Sequence, residues 1–131
     1  MGGMVDTLEH LAGTAVLVCA GDGPVVRGEA DALDLIVEAG QRGAAWTAVP
    51  VGRLADEFFE LRTGIAGAIL QKFVNYGMGL AVLGDLSRHT AGSTSLRDLV
   101  RESNRGRHHW FVPDLVDLEA RLSRLYPPVG R

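Results

Sequence analysis

Polar side chains able to do chemistry gather in the middle of this chain. Arg62-Thr63-Gly64 stands where a turn should give way to a helix, and Gln71, Lys72 and Asn75 follow on that helix. Residues three and four apart are neighbours on a helix, so these three share a polar face with Ala68. A helix start offers free N–H groups and the positive end of the helix dipole. Arg62 adds a full charge there, and the chemistry this implies is recognition of an anion or of a partner's carboxylate. Thr63 is placed to cap the helix through its side-chain oxygen. Asp85 leaves the next strand at its carboxyl end, where ligands bind in open parallel sheets. Gln71, Lys72, Asn75 and Asp85 are therefore candidates to line one pocket.

Each of these has a structural reading beside the functional one. Thr63 serves as an ordinary cap, Arg62 pairs with a Glu, and Gln71 and Asn75 satisfy loop backbone groups, as buried amides usually do. Glu102-Ser-Asn-Arg-Gly106 closes a later helix. Asn104 and Gly106 are natural helix stops, and Glu102 pairs with Arg62 or Arg105, so structural use is the favoured reading for Glu102 and Asn104. Lys72 is the single lysine beside twelve arginines, a bias that suggests a GC-rich genome. An ammonium kept on the polar face hints that it is wanted there; a surface residue left by chance explains it as well.

Other constellations carry less. His108 and His109 are adjacent on an expected strand, so they point to opposite faces, and His10 and His89 are isolated; no metal site is expected. Cys19 sits mid-strand and reads as a small buried hydrophobe. Gly21-Asp-Gly23 lacks the rest of a dinucleotide fingerprint, and no Gly-Lys-Ser/Thr occurs, so no cofactor is expected.

The elements that must position these residues are legible by period. The 131 residues are 47% hydrophobic and 22% charged, enough apolar material for one core. The net charge of −3 argues against nucleic acid or anionic membrane as partner. No apolar run approaches the roughly 18 residues that span a bilayer. Asp6 and Glu9 precede any basic residue, unlike a secretory signal, and one cysteine excludes an internal disulfide framework. A cytoplasmic protein is expected.

One domain is expected over 1–131, with 1–12 a frayed lead-in or a short first strand and 126–131 a tail. Thr14–Ala20 reads as a strand, with Asp22-Gly23 a hairpin turn into Pro24–Arg27. Glu29–Arg42 reads as a helix buried through Ala32, Leu33, Ile36 and Val37. Ala44–Val49 is a strand, and Val51–Leu61 a connector that carries Phe58 and Phe59 inward. The central helix runs from about Gly64 to Tyr76 and faces the core through Ile69, Leu70, Phe73 and Val74. Leu80–Gly84 is a wholly apolar strand, and Asp85–Thr94 a polar loop. Ser95 or Thr94 caps a helix to about Asn104, His108–Val112 is a strand, and Pro113-Asp114 opens a last helix through Leu125. Strands alternating with helices predict an α/β fold with a mainly parallel sheet of four to five strands and about four helices.

Phe58-Phe-Glu-Leu-Arg-Thr-Gly64, Ala66-Gly67, Gln71-Lys-Phe73, Asn75-Tyr76, Leu80–Asp85, Ser95-Leu96 and Glu102-Ser-Asn-Arg-Gly106 resemble the bacterial family catalogued as domain of unknown function 4180, over residues 25–125. The resemblance implies a Glu after Gly67, where this chain has Ala68. More remotely, the layout is similar to STAS domains, the sulfate transporter and anti-sigma factor antagonist type. There Thr63 would take the place of a phosphorylatable Ser, although Leu61-Arg62 replaces the Asp-Ser of that turn.

The expected function is a non-catalytic, STAS-like binding or regulatory module. It would recognise a small anionic ligand or a protein partner at Arg62-Thr63-Gly64, and a homodimer is compatible with it. The alternative is a small biosynthetic enzyme, with Lys72 or Asp85 as base and Arg62 holding a substrate carboxylate or phosphate. A pocket bringing Lys72 and Asp85 within hydrogen-bond reach would favour the enzyme.

Overall fold

The computed structural model describes residues 5–126. Its first hairpin turns at Ala12-Gly13, both with positive φ (51° and 81°). Two-residue turns with this backbone match the right-handed twist of the strands they join. The turn pairs β1 (Thr7–Leu11) antiparallel to β2 (Thr14–Val18), with Leu11 opposite Thr14. Of the lead-in expected over 1–12, residues 7–11 are thus strand; residues 1–4, like the tail from 127 on, fall outside the described range.

The hairpin expected at Asp22-Gly23 does not form. Pro24–Arg27 contributes only a single parallel bridge, Val26 to Leu54. The physical reason is Arg53, whose buried guanidinium takes the carbonyls of Ala20 and Pro24, each at 2.7 Å. Those acceptors are lost to a ladder, and Pro24 has no N–H to give one. A Cβ on Gly23 would stand 2.6 Å from this guanidinium, so only glycine leaves room for it.

After α1 (Glu29–Gln41) the chain enters β3 (Trp46–Pro50), crosses to α2 (Ile65–Asn75), returns as β4 (Gly79–Leu83), then runs through α3 (Ser87–Thr90) and α4 (Thr94–Arg105) to β5 (His109–Val112) and α5 (Leu115–Leu125). The sheet order is β1-β2-β3-β4-β5, parallel throughout except for β1. The chain is an α/β fold with a five-stranded, mostly parallel sheet.

Alternate strand residues separate two cores, as the pleat requires. Leu17, Val49, Leu80, Val82 and Phe111 meet α1, α2 and α4 on one face. Val16, Trp46, Ala48, Ala81, Trp110 and Val112 meet Leu118 and Leu122 of α5 on the other. Each parallel crossover steps one strand in the same direction, so the order never reverses. The sheet therefore has no crevice of the kind that opens where helices part at a switch point. Any cleft at the carboxyl ends must be built from the loops themselves.

Three boundaries differ from the sequence reading. Helix α1 buries Ala32, Leu35, Ile36 and Ala39, while Val37 is 47% exposed. It packs on α2 as well as β3, and the small Ala32 and Ala39 permit that approach and turn Val37 outward. The polar loop after β4 contains α3, begun by Asp85, whose Oδ1 accepts from the Ser87 N–H at 2.9 Å. Helix α4 starts earlier than expected. Its cap is Ser93, whose Oγ accepts from the Leu96 N–H at 3.1 Å, in place of Ser95 or Thr94. The connector Val51–Leu61 behaves as read: short 3₁₀ turns at Val51–Arg53, Asp56–Phe59 and Leu61–Thr63 bury Phe58 and Phe59.

Candidate functional site

At the carboxyl ends of β3 and β4 the two long loops diverge and leave an open cleft of about 690 Å³. The β3–α2 connector supplies Asp56, Phe59, Glu60, Leu61 and Arg62. The segment after β4 supplies Arg88 and His89 from α3, then Gly92, Ser93 and Ser95 at the start of α4. Phe59 and His89 hold the two sides together, their rings stacked at 3.8 Å between centroids and 12° between planes. Asp85 ties the turn that leads into α3 and so helps set where Arg88 and His89 stand; hydrogen bonding from Ser87 lowers its own pKa.

Charge in the cleft is balanced but loosely held. Arg62 lies 3.7 Å from Glu60 and Arg88 lies 4.0 Å from Asp56, and every one of these side chains is more than half exposed. Exposed pairs of this kind contribute about 0–1 kcal/mol, so an incoming anion displaces them at small cost. Burial, helped by the neighbouring Arg88 charge, lowers the His89 pKa. Its Nε2 lies 3.3 Å from the Arg88 guanidinium, an arrangement that suits a neutral ring accepting a hydrogen bond. The first N–H groups of α4 lie beside Ser93 and Ser95 at the cleft wall, where the helix dipole adds a positive end.

Among the candidate binding residues expected from sequence, Arg62 alone lines this cleft. Thr63 acts next to it as a brace: its hydroxyl lies 2.8 Å from the Glu60 carbonyl and 3.0 Å from that of Glu57, and accepts from the Ile65 N–H. The start of α2 is thus braced by Thr63, the cap expected from sequence, although the N-cap position itself is the following residue, Gly64, which is left-handed at φ 76°.

Gln71, Lys72 and Asn75 do not converge on Asp85. Gln71 donates to Asn75 at 2.8 Å on an exposed face, and Lys72 pairs with Glu29 of α1 at 3.3 Å. Helix α2 runs back from the cleft, so at 1.5 Å per residue Lys72 lies about 12 Å along it from Gly64. Asp85 remains at the opposite end of β4.

Glu102 pairs with Arg105 at 3.5 Å. Asn104 has a distinct task. Its side chain donates to the Phe111 carbonyl (3.1 Å) and accepts from the Phe111 N–H (2.7 Å), so it closes the outer edge of β5 as a neighbouring strand would. Ser103 lies 3.0 Å from His109 Nδ1, and the Gly106 carbonyl accepts from the Trp110 indole. The Glu102–Gly106 stretch thus fastens the end of α4 to the edge strand.

Phe59 was legible as an inward aromatic; Arg88, His89 and Ser93 were not assigned to a site. The available signal was Asp85-Leu-Ser87, a side-chain-capped turn that starts a helix. Nothing local marks Arg53, the one arginine buried to 4% exposure among the described residues.

The family model described as domain of unknown function (DUF4180) matches residues 11–122. The chain belongs to this family. No curated protein and no solved structure matches it. The span matched by DUF4180 takes in every residue that lines the cleft, as well as the Asn104 lock on β5. Within the described residues of this DUF4180 chain, no helix is long and apolar enough to cross a membrane.

Proposed function

We propose that this chain is a non-catalytic, cytoplasmic binding module that recognises an anionic group in the cleft between the β3–α2 connector and α3. The carrying observation is that Arg62 and Arg88 line it from two separate loops, each held only by an exposed, exchangeable carboxylate. The ligand is a small anionic molecule or an acidic segment of a partner protein. The start of α4 supplies further N–H donors. The STAS-like character rests on layout alone, and Thr63, with its hydroxyl engaged by backbone, has no part in the recognition.

Binding is favoured over catalysis by what the polar groups already do. Ser93 caps α4, His89 Nε2 faces Arg88, and Lys72 and Asp85 stand apart, each with its own partner. The test is thermal denaturation against a panel of carboxylated and phosphorylated metabolites, comparing the native chain with the double variant Arg62→Ala/Arg88→Ala. A ligand-dependent rise in Tm that the variant loses is the expected result. A rise of equal size in both would place the ligand elsewhere and sink the reading.

A further inference from the structure

We infer a second anion site on the opposite side of the molecule, built for the phosphate group of a small soluble compound. A hollow of about 190 Å³ lies between the turn after α4 and the last two turns of α5, lined by Gly106, Arg107, Trp110, Arg121, Arg124 and Leu125. Three of these carry a positive charge and none a negative one. Among the described residues none of Arg107, Arg121 and Arg124 has a carboxylate within salt-bridge distance, whereas seven other basic side chains do.

Like charges on one patch repel, and a chain of net charge −3 has carboxylates enough to pair them. Basic residues do favour helix C-termini, and both α4 and α5 end here. Each helix end, however, carries only about half a negative charge. Two ends offset about one of the three positive charges and leave about two, which matches the −1.5 to −2 of a phosphate group.

The hollow is also pre-shaped. Arg121 donates to the Asn104 carbonyl at 3.0 Å, and its guanidinium carbon stands 5.5 Å from the centre of the Trp110 ring. Trp110 is held in turn by its indole N–H to the Gly106 carbonyl at 2.9 Å and by stacking on Trp46 at 4.4 Å. One guanidinium is thus fixed over a buried ring, and two exposed ones are free to close on an anion as charge-assisted donors.

Trp110 and Trp46 are the only two tryptophans, so intrinsic fluorescence reports on this hollow directly. Inorganic phosphate would be titrated into the full chain at constant ionic strength, with chloride as control. A saturable change in emission is expected. Its midpoint should rise at least about tenfold in Arg107→Ala/Arg124→Ala, where two charge-assisted contacts are removed. That variant leaves Arg121 and Trp110 in place. Arg62→Ala/Arg88→Ala should leave the midpoint unchanged.

No saturable change with phosphate would overturn the inference, as would equal affinity in the Arg107/Arg124 variant. A response lost instead in the Arg62/Arg88 variant would move the phosphate to the first cleft and refute a second site. Sedimentation with phosphatidylglycerol vesicles tests the source: co-sedimentation abolished by the Arg107/Arg124 variant would overturn a soluble ligand in favour of a lipid headgroup.

Discussion

Thr47 lies fully buried in β3 between Leu17 and Leu80, and its hydroxyl has no hydrogen-bond partner among the described residues. A buried hydroxyl left unbonded loses its solvation for nothing in return. Thr47→Val, nearly the same shape, should therefore raise stability by about 1 kcal/mol. Urea denaturation checks this, and an unchanged or lower midpoint refutes it. Arg53 shows the opposite treatment of a buried polar group. Its Nε and Nη1 donate to Pro24 and Ala20, with Asp6 at 4.0 Å and bonded to the Ala20 N–H. The charge is tolerated because carbonyls and a carboxylate surround it.

The protonation of His109 is linked to folding. Burial first, and then the neighbouring His108, lower its pKa from the ordinary 6.5. A histidine with a depressed folded pKa is charged sooner in the unfolded chain. Its contribution is thus complete above pH 6.5 and is lost as pH falls below that value toward the folded pKa. His109→Gln should flatten the stability profile as pH falls below 6.5. His89, shifted in the same direction, keeps some slope in the variant. An identical slope in both proteins would show that His109 plays no part. Cys19, by contrast, is pushed up to about 12 by burial and the Asp6 charge, which makes it an inert core thiol.

At the level of elements, the two edges of the sheet are managed differently. β1 borders the sheet through a tight hairpin, while β5 has its outer edge closed by the Asn104 side chain. Asn104→Ala removes both bonds at once and should cost about 1–3 kcal/mol, read as a lower urea midpoint at unchanged slope. A cost near zero would mean that water replaces the amide without penalty. Asn104 and Gly106 are helix-stop residues by type, and α4 ends at Arg105 with Gly106 as its C-cap. Its tie to the edge of β5 was invisible, because it depends on where the next strand lies. Helix caps divide in the same way. Asp114 stands alone after Pro113 and was legible, and it accepts from the Asp117 N–H at 2.9 Å. Ser93, Thr94 and Ser95 are three hydroxyl residues in a row, and only the phase imposed by burying Leu96 selects Ser93.

For the molecule as a whole, a ligand that binds only the folded state raises stability by mass action, about 2.7 kcal/mol at a hundred times its Kd. An anion held in the first cleft should give a shift of that order in the native chain. Arg62→Ala/Arg88→Ala should remove it with little loss of basal stability, since both pairs are exposed. A large fall in basal Tm would instead assign the two arginines to holding the loops together. The two anion sites are independent on this view. One lies at the carboxyl ends of the parallel strands, the other where α4 and α5 end.

Local patterning set the kind and order of most elements, though not the strand expected at Pro24–Arg27, which does not form, nor α3, which was read as loop. Apolar period 2 or 3.6, turn residues and isolated caps are local signals, and they sufficed for α1, β3, α2, β4, β5 and α5 and for a mainly parallel sheet. They even placed Phe58 and Phe59 in the core. Tertiary structure decided which polar groups meet. Arg62 faces Arg88 because adjacent parallel strands present their following loops side by side. Lys72 and Asp85 part because a crossover helix runs antiparallel to the strand it follows. Arg107 joins Arg121 and Arg124 because α5 folds back over the far face. Convergence of side chains is a property of strand order and helix direction, which no local pattern encodes.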